Sequence, residues 1–517
     1  MRNLMRHRLR AASTVVLVLG LLLSMPAAPA AAASAHTASG RPGRYAAVDD
    51  YIRDRMKATH APGISYAVVG PEGPVHQRSW GTDGRGRRVT AATPFLWGSV
   101  AKPIAATSVM VLVQNGRLRL DDRVVDHVPD FRFGGAAHAS RVTVRHLLNQ
   151  TSGIPGSATL HVTDCFDPDC PRPAERIRAL DGVRPIGPPG TKYAYTSANY
   201  LVLTAVVEAV TGRSFADHLR QAVLDPAGMD DAIADQASAR HQNLPPGHQL
   251  LWGVPAAIAD GVDDHGAGYG YLGGSLHDLA AFAALQLRGG TTADGDTVLT
   301  PESVRLMRAE GRLWPTGTAT GYGLGWRVGG LDAPLGDAIW HTGATPGYSA
   351  MLFLLPKRDI AIVLQQNLYG LLDDEAVMRV GFGAARILAG GQAPTSTTFG
   401  SPYYWTVFGA TACAMTLILT AVRSALLLRR PATPGAGPRR TILTVVWCVA
   451  GGLPCAALAW AVDRMGPEQL INWVPDIFIS VCVAAAAGAA TLILRLVLAI
   501  RAARVGRSQP STAVRTR

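Results

Sequence analysis

Gly98-Ser99-Val100-Ala101-Lys102 is the stretch on which the reading of this 517-residue chain turns. A helix is predicted from near Ser99 to Asn115-Gly116, a pair well suited to closing a helix. Ser99 and Lys102 are three residues apart, so on a helix they share one face, one turn above the other. That spacing sets an amine beside a hydroxyl. A serine hydroxyl is a poor nucleophile until a base removes its proton. A lysine desolvated in a cleft has its pKa lowered towards the range where it serves as that base. The helix N-terminus adds partial positive charge that favours developing negative charge. Taken alone, Ser-x-x-Lys is equally a capping serine beside a solvated lysine. The chain has only four lysines, Lys57, Lys102, Lys192 and Lys357, which gives one in this setting more weight.

Two further stretches carry side chains of the same chemistry. Pro189-Gly-Thr-Lys-Tyr-Ala-Tyr-Thr-Ser-Ala-Asn-Tyr200 puts Tyr195 on a loop just before a predicted helix. A phenol there could shuttle a proton between Ser99 and a leaving group; a lone tyrosine reads first as a packing residue. Trp340-His-Thr-Gly-Ala-Thr-Pro-Gly-Tyr348 enters the last predicted strand pair. Gly343 lets a substrate backbone approach the strand edge. The amides of Ala344 and Ser99 could then face an oxyanion. His341 reads as a carboxylate ligand, a proton-transfer group or a structural loop histidine.

The remaining pattern places these stretches in one domain. A helix is predicted over 48–58 and strands over 64–69 and 75–80, joined by the Gly70-Pro-Glu-Gly73 turn. Residues 156–190 read as a long loop with one short helix. Helices are predicted over 199–211, 276–287 and 375–388, and strands over 350–355 and 360–364 around Pro356-Lys-Arg-Asp359. Strands at both ends with helices between predict an α+β fold: one sheet built from the two termini, a helical insert, and a cleft between two lobes.

In this order the motifs resemble the serine beta-lactamase/penicillin-binding family, especially its class C beta-lactamase, DD-peptidase and esterase branch. Further matches are His146-Leu-Leu-Asn-Gln-Thr-Ser-Gly-Ile154, Gly273-Gly-Ser-Leu-His-Asp-Leu-Ala280, Gly321-Tyr-Gly-Leu-Gly-Trp326 and Pro346-Gly-Tyr-Ser349. The resemblance covers roughly residues 45–390. It implies an antiparallel sheet flanked by helices, a helical second lobe, and an active site at the lobe boundary. It implies Ser99 as the acylated nucleophile, Lys102 as its base, and Tyr195 as the tyrosine of the Tyr-x-Asn motif. It further implies His341-Thr342-Gly343 at the Lys-Thr-Gly position, with Ala344 and Ser99 amides as the oxyanion hole. Two positions depart from the pattern. Ser197 replaces the asparagine, and a hydroxyl is shorter and offers fewer hydrogen bonds than a carboxamide. His341 replaces the lysine, and imidazole, with an unperturbed pKa of ~6.5, is a weaker cationic clamp. Both fit a peptidase or esterase better than an efficient beta-lactamase.

The ends of the chain are different in kind. Arg2, Arg6, Arg8 and Arg10 precede an apolar run and then Ala/Pro-rich residues, which reads as a signal peptide over 1–35, with an uncleaved anchor as the alternative. Three apolar runs, at about 405–428, 441–462 and 477–500, each approach the ~20 residues that cross a bilayer core. Arginines follow the first and third runs, while Asp463, Arg464, Glu468 and Asp476 lie between the second and third. The positive-inside rule then puts the Arg-rich loop and tail in the cytoplasm and the hydrolase domain outside. The expected organisation is signal 1–35, hydrolase domain 36–390, linker 391–404, three-helix transmembrane region 405–508 and cytoplasmic tail 509–517.

The net charge of +12 does not mark a nucleic-acid binder. Four arginines in 1–34, and twelve arginines against three acids in 405–517, account for the surplus and leave residues 35–404 at −1. Cys165 and Cys170 are the two cysteines of the exported part; export permits a disulfide between them. No metal or cofactor set is legible. The expected activity is acyl transfer through Ser99 on an ester or amide, either a small molecule or a cell-wall peptide ending in D-alanine. The alternative is a catalytically inactive binding or sensor module; three helices with few internal polar groups do not support a transport pathway.

Overall fold

The computed structural model describes residues 45–167, 169–309, 320–394, 401–431 and 438–507. The expected signal segment and the tail from 509 onward lie outside the described residues, as does part of the linker.

Helix α1 (Ala46–Thr59) leads into strands β1 (Gly63–Gly70) and β2 (Gly73–Gly81). A short strand β3 (Phe95–Leu96) precedes a 3₁₀ turn, Gly98–Val100, which runs directly into helix α2 (Ala101–Gln114). Helix α3 (Ala198–Thr211) follows and ends, as expected, on Gly212 in the left-handed conformation (φ 68°). Next come a hairpin of β4 (Gly247–Leu251) and β5 (Val254–Ala259), a short strand β6 (Gly273–Gly274) and helix α4 (Leu276–Leu287). The domain closes with β7 (Thr320–Tyr322), β8 (Arg327–Gly329), β9 (Ile339–Thr345), β10 (Tyr348–Leu355), β11 (Ile360–Gln366) and helix α5 (Asp374–Leu388).

Seven strands form one antiparallel sheet in the order β2-β1-β11-β10-β9-β8-β7. N-terminal β1 pairs with C-terminal β11, Ile64 opposite Gln366 and Val69 opposite Ala361. The sheet is thus assembled from the two ends of the domain, as the sequence pattern predicts. Alternation along β1 shows why both faces are covered. Ala67 and Val69 enter one core with the helical lobe. Ile64, Tyr66 and Val68 enter a second core with residues of α1 and α5.

The local reading fell short in three places. The 156–190 segment holds several short helical turns rather than one. Strands β4, β5, β7, β8 and β9 were not predicted; their pairing partners, not their own alternation, make them strands. The Ser99 helix begins as a 3₁₀ turn. Cys165 and Cys170 are joined in a disulfide.

Beyond the domain, α6 (Pro402–Leu428), α7 (Pro438–Met465) and α9 (Pro475–Arg507) are three helices long and apolar enough to cross a membrane. A short helix α8 (Pro467–Trp473), absent from the sequence reading, fills the acidic loop between α7 and α9. It docks on the α+β domain. Trp473 Nε1 donates to Asp164 Oδ2 at 2.9 Å, and Gln469 Nε2 to the Thr163 carbonyl at 3.2 Å. The acidic loop is therefore in contact with the domain through α8.

Candidate active site

The 3₁₀ turn brings Ser99 and Lys102 together. Ser99 lies in that turn and Lys102 in the first turn of α2, three residues on and on the same face, and Lys102 Nζ lies 2.8 Å from Ser99 Oγ. The turn is pressed against the edge of β9. Strand β8 pairs with β9 only at Ile339 and Trp340, so from His341 onward that edge faces Ser99. Two glycines make the approach possible. Gly98 has φ 55°, and a Cβ there would sit 2.0 Å from the Ala344 nitrogen. A Cβ on Gly343 would sit 2.1 Å from the Trp97 carbonyl oxygen and 2.4 Å from the Ser99 nitrogen. Gly343, which the sequence assigns to substrate approach, is also what lets the strand meet the Ser99 turn. The backbone of the Ser99 turn and that of Gly343-Ala344 are thereby in close approach.

Lys102 is fully buried, with three oxygens around Nζ: Ser99 Oγ at 2.8 Å, Ser197 Oγ at 3.1 Å and the Tyr269 carbonyl at 2.6 Å. Burial, reinforced by the nearby Arg327 charge and opposed by Asp164, holds its pKa well below the ordinary lysine value. A free amine has two N–H groups and one lone pair. A carbonyl can only accept, so one N–H goes to Tyr269; with the second on Ser197, the lone pair faces the Ser99 hydroxyl. Tyr269 itself is anchored by a buried network. Its hydroxyl bonds Asp263, which Arg176 grips with two bonds of 2.8 and 2.7 Å, and it accepts from the Asp164 amide at 3.0 Å.

Tyr195 packs over the same cluster, its ring centroid 5.1 Å from Lys102 Nζ. Burial raises its phenol above the usual range, against the opposing pull of Arg327 and of a hydrogen bond with Ser99. It is therefore a protonated donor and not a phenolate. Ser197 stands at the N-terminus of α3, its amide on Thr159 Oγ1 at 3.0 Å, and turns its hydroxyl to Lys102.

His341 is brought to the site but in a different state from a cationic clamp. It is buried, with Nδ1 2.6 Å from the Thr342 carbonyl and Nε2 3.1 Å from the Tyr322 hydroxyl. Burial first, then the charge of Arg327, push its pKa well below the ordinary histidine value. Both ring nitrogens are engaged and the ring is neutral, so it offers no charge to a carboxylate. Thr342 and Ala344 are half-buried on the alternate positions of the same strand.

The cation of the cleft is Arg327, which the sequence reading missed. It follows directly on the Gly321-Tyr-Gly-Leu-Gly-Trp326 match, and that adjacency was the available signal. Its guanidinium carbon lies 5.1 Å from the Tyr195 ring centroid, 5.9 Å from that of Tyr322 and 5.2 Å from that of Trp340. It is half-buried, and among the described residues its Nε has no hydrogen-bond partner.

Ser99, Lys102, Tyr195 and the Gly343-Ala344 edge of β9 thus lie together. A sequence profile of the family described as Beta-lactamase matches residues 48–380, more than half of the chain. The chain belongs to the beta-lactamase family. Among its relatives within that family, "Penicillin-binding protein 4" of Amycolatopsis lactamdurans is 34% identical over 323 residues, covering 60% of this chain and 81% of the relative. The fold is shared with the octameric penicillin-binding protein homologue from Pyrococcus abyssi, at a TM-score of 0.57 and 22% identity over 69% of this chain and 79% of that one. It is also shared with a D-stereospecific amidohydrolase from Streptomyces sp., at a TM-score of 0.53 and 22% identity over 65% of this chain and 98% of that one.

Proposed function

We propose that this member of the beta-lactamase family is an active serine hydrolase, held at the outer face of a membrane by α6, α7 and α9. The observation that carries the reading is the buried Lys102 amine 2.8 Å from Ser99 Oγ. The Ser99 oxygen attacks an ester or amide carbonyl while its proton passes to Lys102 Nζ. The new C–O bond pushes negative charge onto the carbonyl oxygen, which the amides of Ser99 and Ala344 accept. Tyr195, on hydrogen-bonding terms with Ser99, relays the proton to the leaving amine or alkoxide as the carbonyl bond to it breaks. Water then releases the acyl group and restores the Ser99 hydroxyl.

The substrate class is a peptide ending in D-alanine or a small ester. Arg327, its half-buried guanidinium set among the rings of Tyr195, Tyr322 and Trp340, supplies the charge that a terminal carboxylate requires and that neutral His341 does not. The relative named as a penicillin-binding protein supports the same class. The test is labelling of the full chain in detergent with a fluorophosphonate, followed by peptide mapping. Modification of Ser99 that disappears in Ser99→Ala is the expected result. A folded protein that takes no label would instead make the domain an inactive binding or sensor module.

A further inference from the structure

The β4–β5 hairpin projects from the hydrolase domain against the apolar helices. Residues 249–259, Gln-Leu-Leu-Trp-Gly-Val-Pro-Ala-Ala-Ile-Ala, carry no charge. The two-residue turn is Trp252-Gly253, both with positive φ (50° and 86°). That turn geometry favours Asn-Gly, and a tryptophan in the left-handed region is an outlier to be explained.

Its contacts supply the explanation. The Trp252 indole donates to Thr411 Oγ1 at 2.8 Å. The Trp252 amide donates to Asp476 Oδ2 at 3.0 Å, and the Gly253 amide to the Tyr403 hydroxyl at 3.0 Å. Tyr403 in turn donates to buried Asp476 at 2.6 Å. Thr411 lies nine residues into α6, about 14 Å along its axis at ~1.5 Å per residue. The 27-residue helix is about 40 Å long and a bilayer core is ~30 Å thick. Wherever that core falls within the helix, its near edge is within about 10 Å of Pro402. Thr411, and the indole bonded to it, is therefore inside the core.

We propose that the β4–β5 hairpin is a fourth membrane-inserted element, whose Trp252-Gly253 turn and Val254 contact lipid acyl chains in the leaflet on the hydrolase side. The inference rests on the membrane reading of the three helices. Two independent features support lipid as the partner. Val254 is 66% exposed and Ile258 is also exposed, an arrangement costly in water, and Trp405 on the neighbouring first turn of α6 is 79% exposed. The turn amides are met by Tyr403 and Asp476 from the first turns of α6 and α9, so the turn offers no unsatisfied backbone donor to lipid.

The test uses the unmodified full chain in phosphatidylcholine/phosphatidylglycerol vesicles containing a lipid with a photoactivatable diazirine in its acyl chain. Labelled peptides are mapped by mass spectrometry. The peptide carrying residues 254–258 is expected to label within about threefold of those carrying exposed Leu443 of α7, and at least about tenfold above that carrying Val75, an exposed valine of β2 in the hydrolase domain. Labelled helices with an unlabelled hairpin would overturn the inference and leave the membrane reading standing. Absence of label from the helices as well would overturn both.

Discussion

Lys102 Nζ lies 2.6 Å from the carbonyl oxygen of Tyr269. That one contact fixes how the amine is oriented, because a carbonyl can only take an N–H and so turns the lone pair away from itself. Removing the amine should remove the base. Lys102→Ala is expected to slow fluorophosphonate labelling of Ser99 by about 10²- to 10⁴-fold, the span of general-base catalysis, with the fold kept by circular dichroism.

The same site predicts a pH profile. Burial holds the Lys102 pKa below its ordinary value, and the free amine is the reactive form. The labelling rate should rise as pH passes upward through the folded-state pKa and reach its plateau well below ~10.4, the value of an unperturbed lysine. Rates followed from about pH 5 to 10 check this; a rise centred near the unperturbed value would contradict the assignment of Lys102 as base.

Arg327 is predicted to set preference for a carboxylate-ended substrate. A charge-assisted hydrogen bond contributes about 1.5–3 kcal/mol, or about 10- to 100-fold. Arg327→Gln should raise KM for an acyl-D-alanyl-D-alanine peptide by that factor and leave turnover of an uncharged nitrophenyl ester within about threefold. Equal losses on both substrates would place Arg327 in the architecture of the cleft rather than in recognition.

Asp164 connects the site to the membrane-side helix α8 and gives a stability prediction. Burial raises its pKa to about 6, against the lowering effect of its hydrogen bonds from Trp473 and Tyr271. In the unfolded chain the carboxyl ionises near ~3.9. Between these values the folded protein binds the extra proton, so this group's contribution to stability falls as pH rises from about 4 to 6 and stays low above. Asp164→Asn removes that dependence. Its melting temperature should move upward relative to the parent protein as pH goes from about 4 to 7, by the equivalent of up to about 3 kcal/mol. A constant difference across that range would contradict the shifted titration.

What could be read from the sequence was what is local. Ser99 and Lys102 are three residues apart, and any helical turn brings them together; the strands at 64–69 and 360–364 are short apolar runs beside turn residues, legible alone. What could not be read depends on partners distant in the chain. His341 looks like a clamp in sequence, and only the Tyr322 hydroxyl and complete burial show that its charge is suppressed. Arg327 carries no motif of its own and acquires its place from the β7–β8 hairpin folding over Tyr195. Trp252-Gly253 lacks the Asn or Asp that usually announces such a turn, because side chains of the apolar helices, more than 150 residues away, hold it.

Gly343 offers the most direct check on the joining of the two lobes. An alanine there would put its Cβ 2.1 Å from the Trp97 carbonyl oxygen and 2.4 Å from the Ser99 nitrogen. Both neighbours are backbone atoms and cannot swing aside, so the Ser99 turn and β9 must separate. Separation pulls apart the two amides that face the oxyanion, and loss of one such donor costs about 10²- to 10³-fold in rate. Gly343→Ala should therefore lose labelling by at least that factor. Gly370→Ala, at a site where a Cβ meets nothing within 4 Å, should stay within about twofold of the parent, since surface changes away from packed features have small effects. Retained labelling in Gly343→Ala would mean that the amide pair is not the oxyanion site.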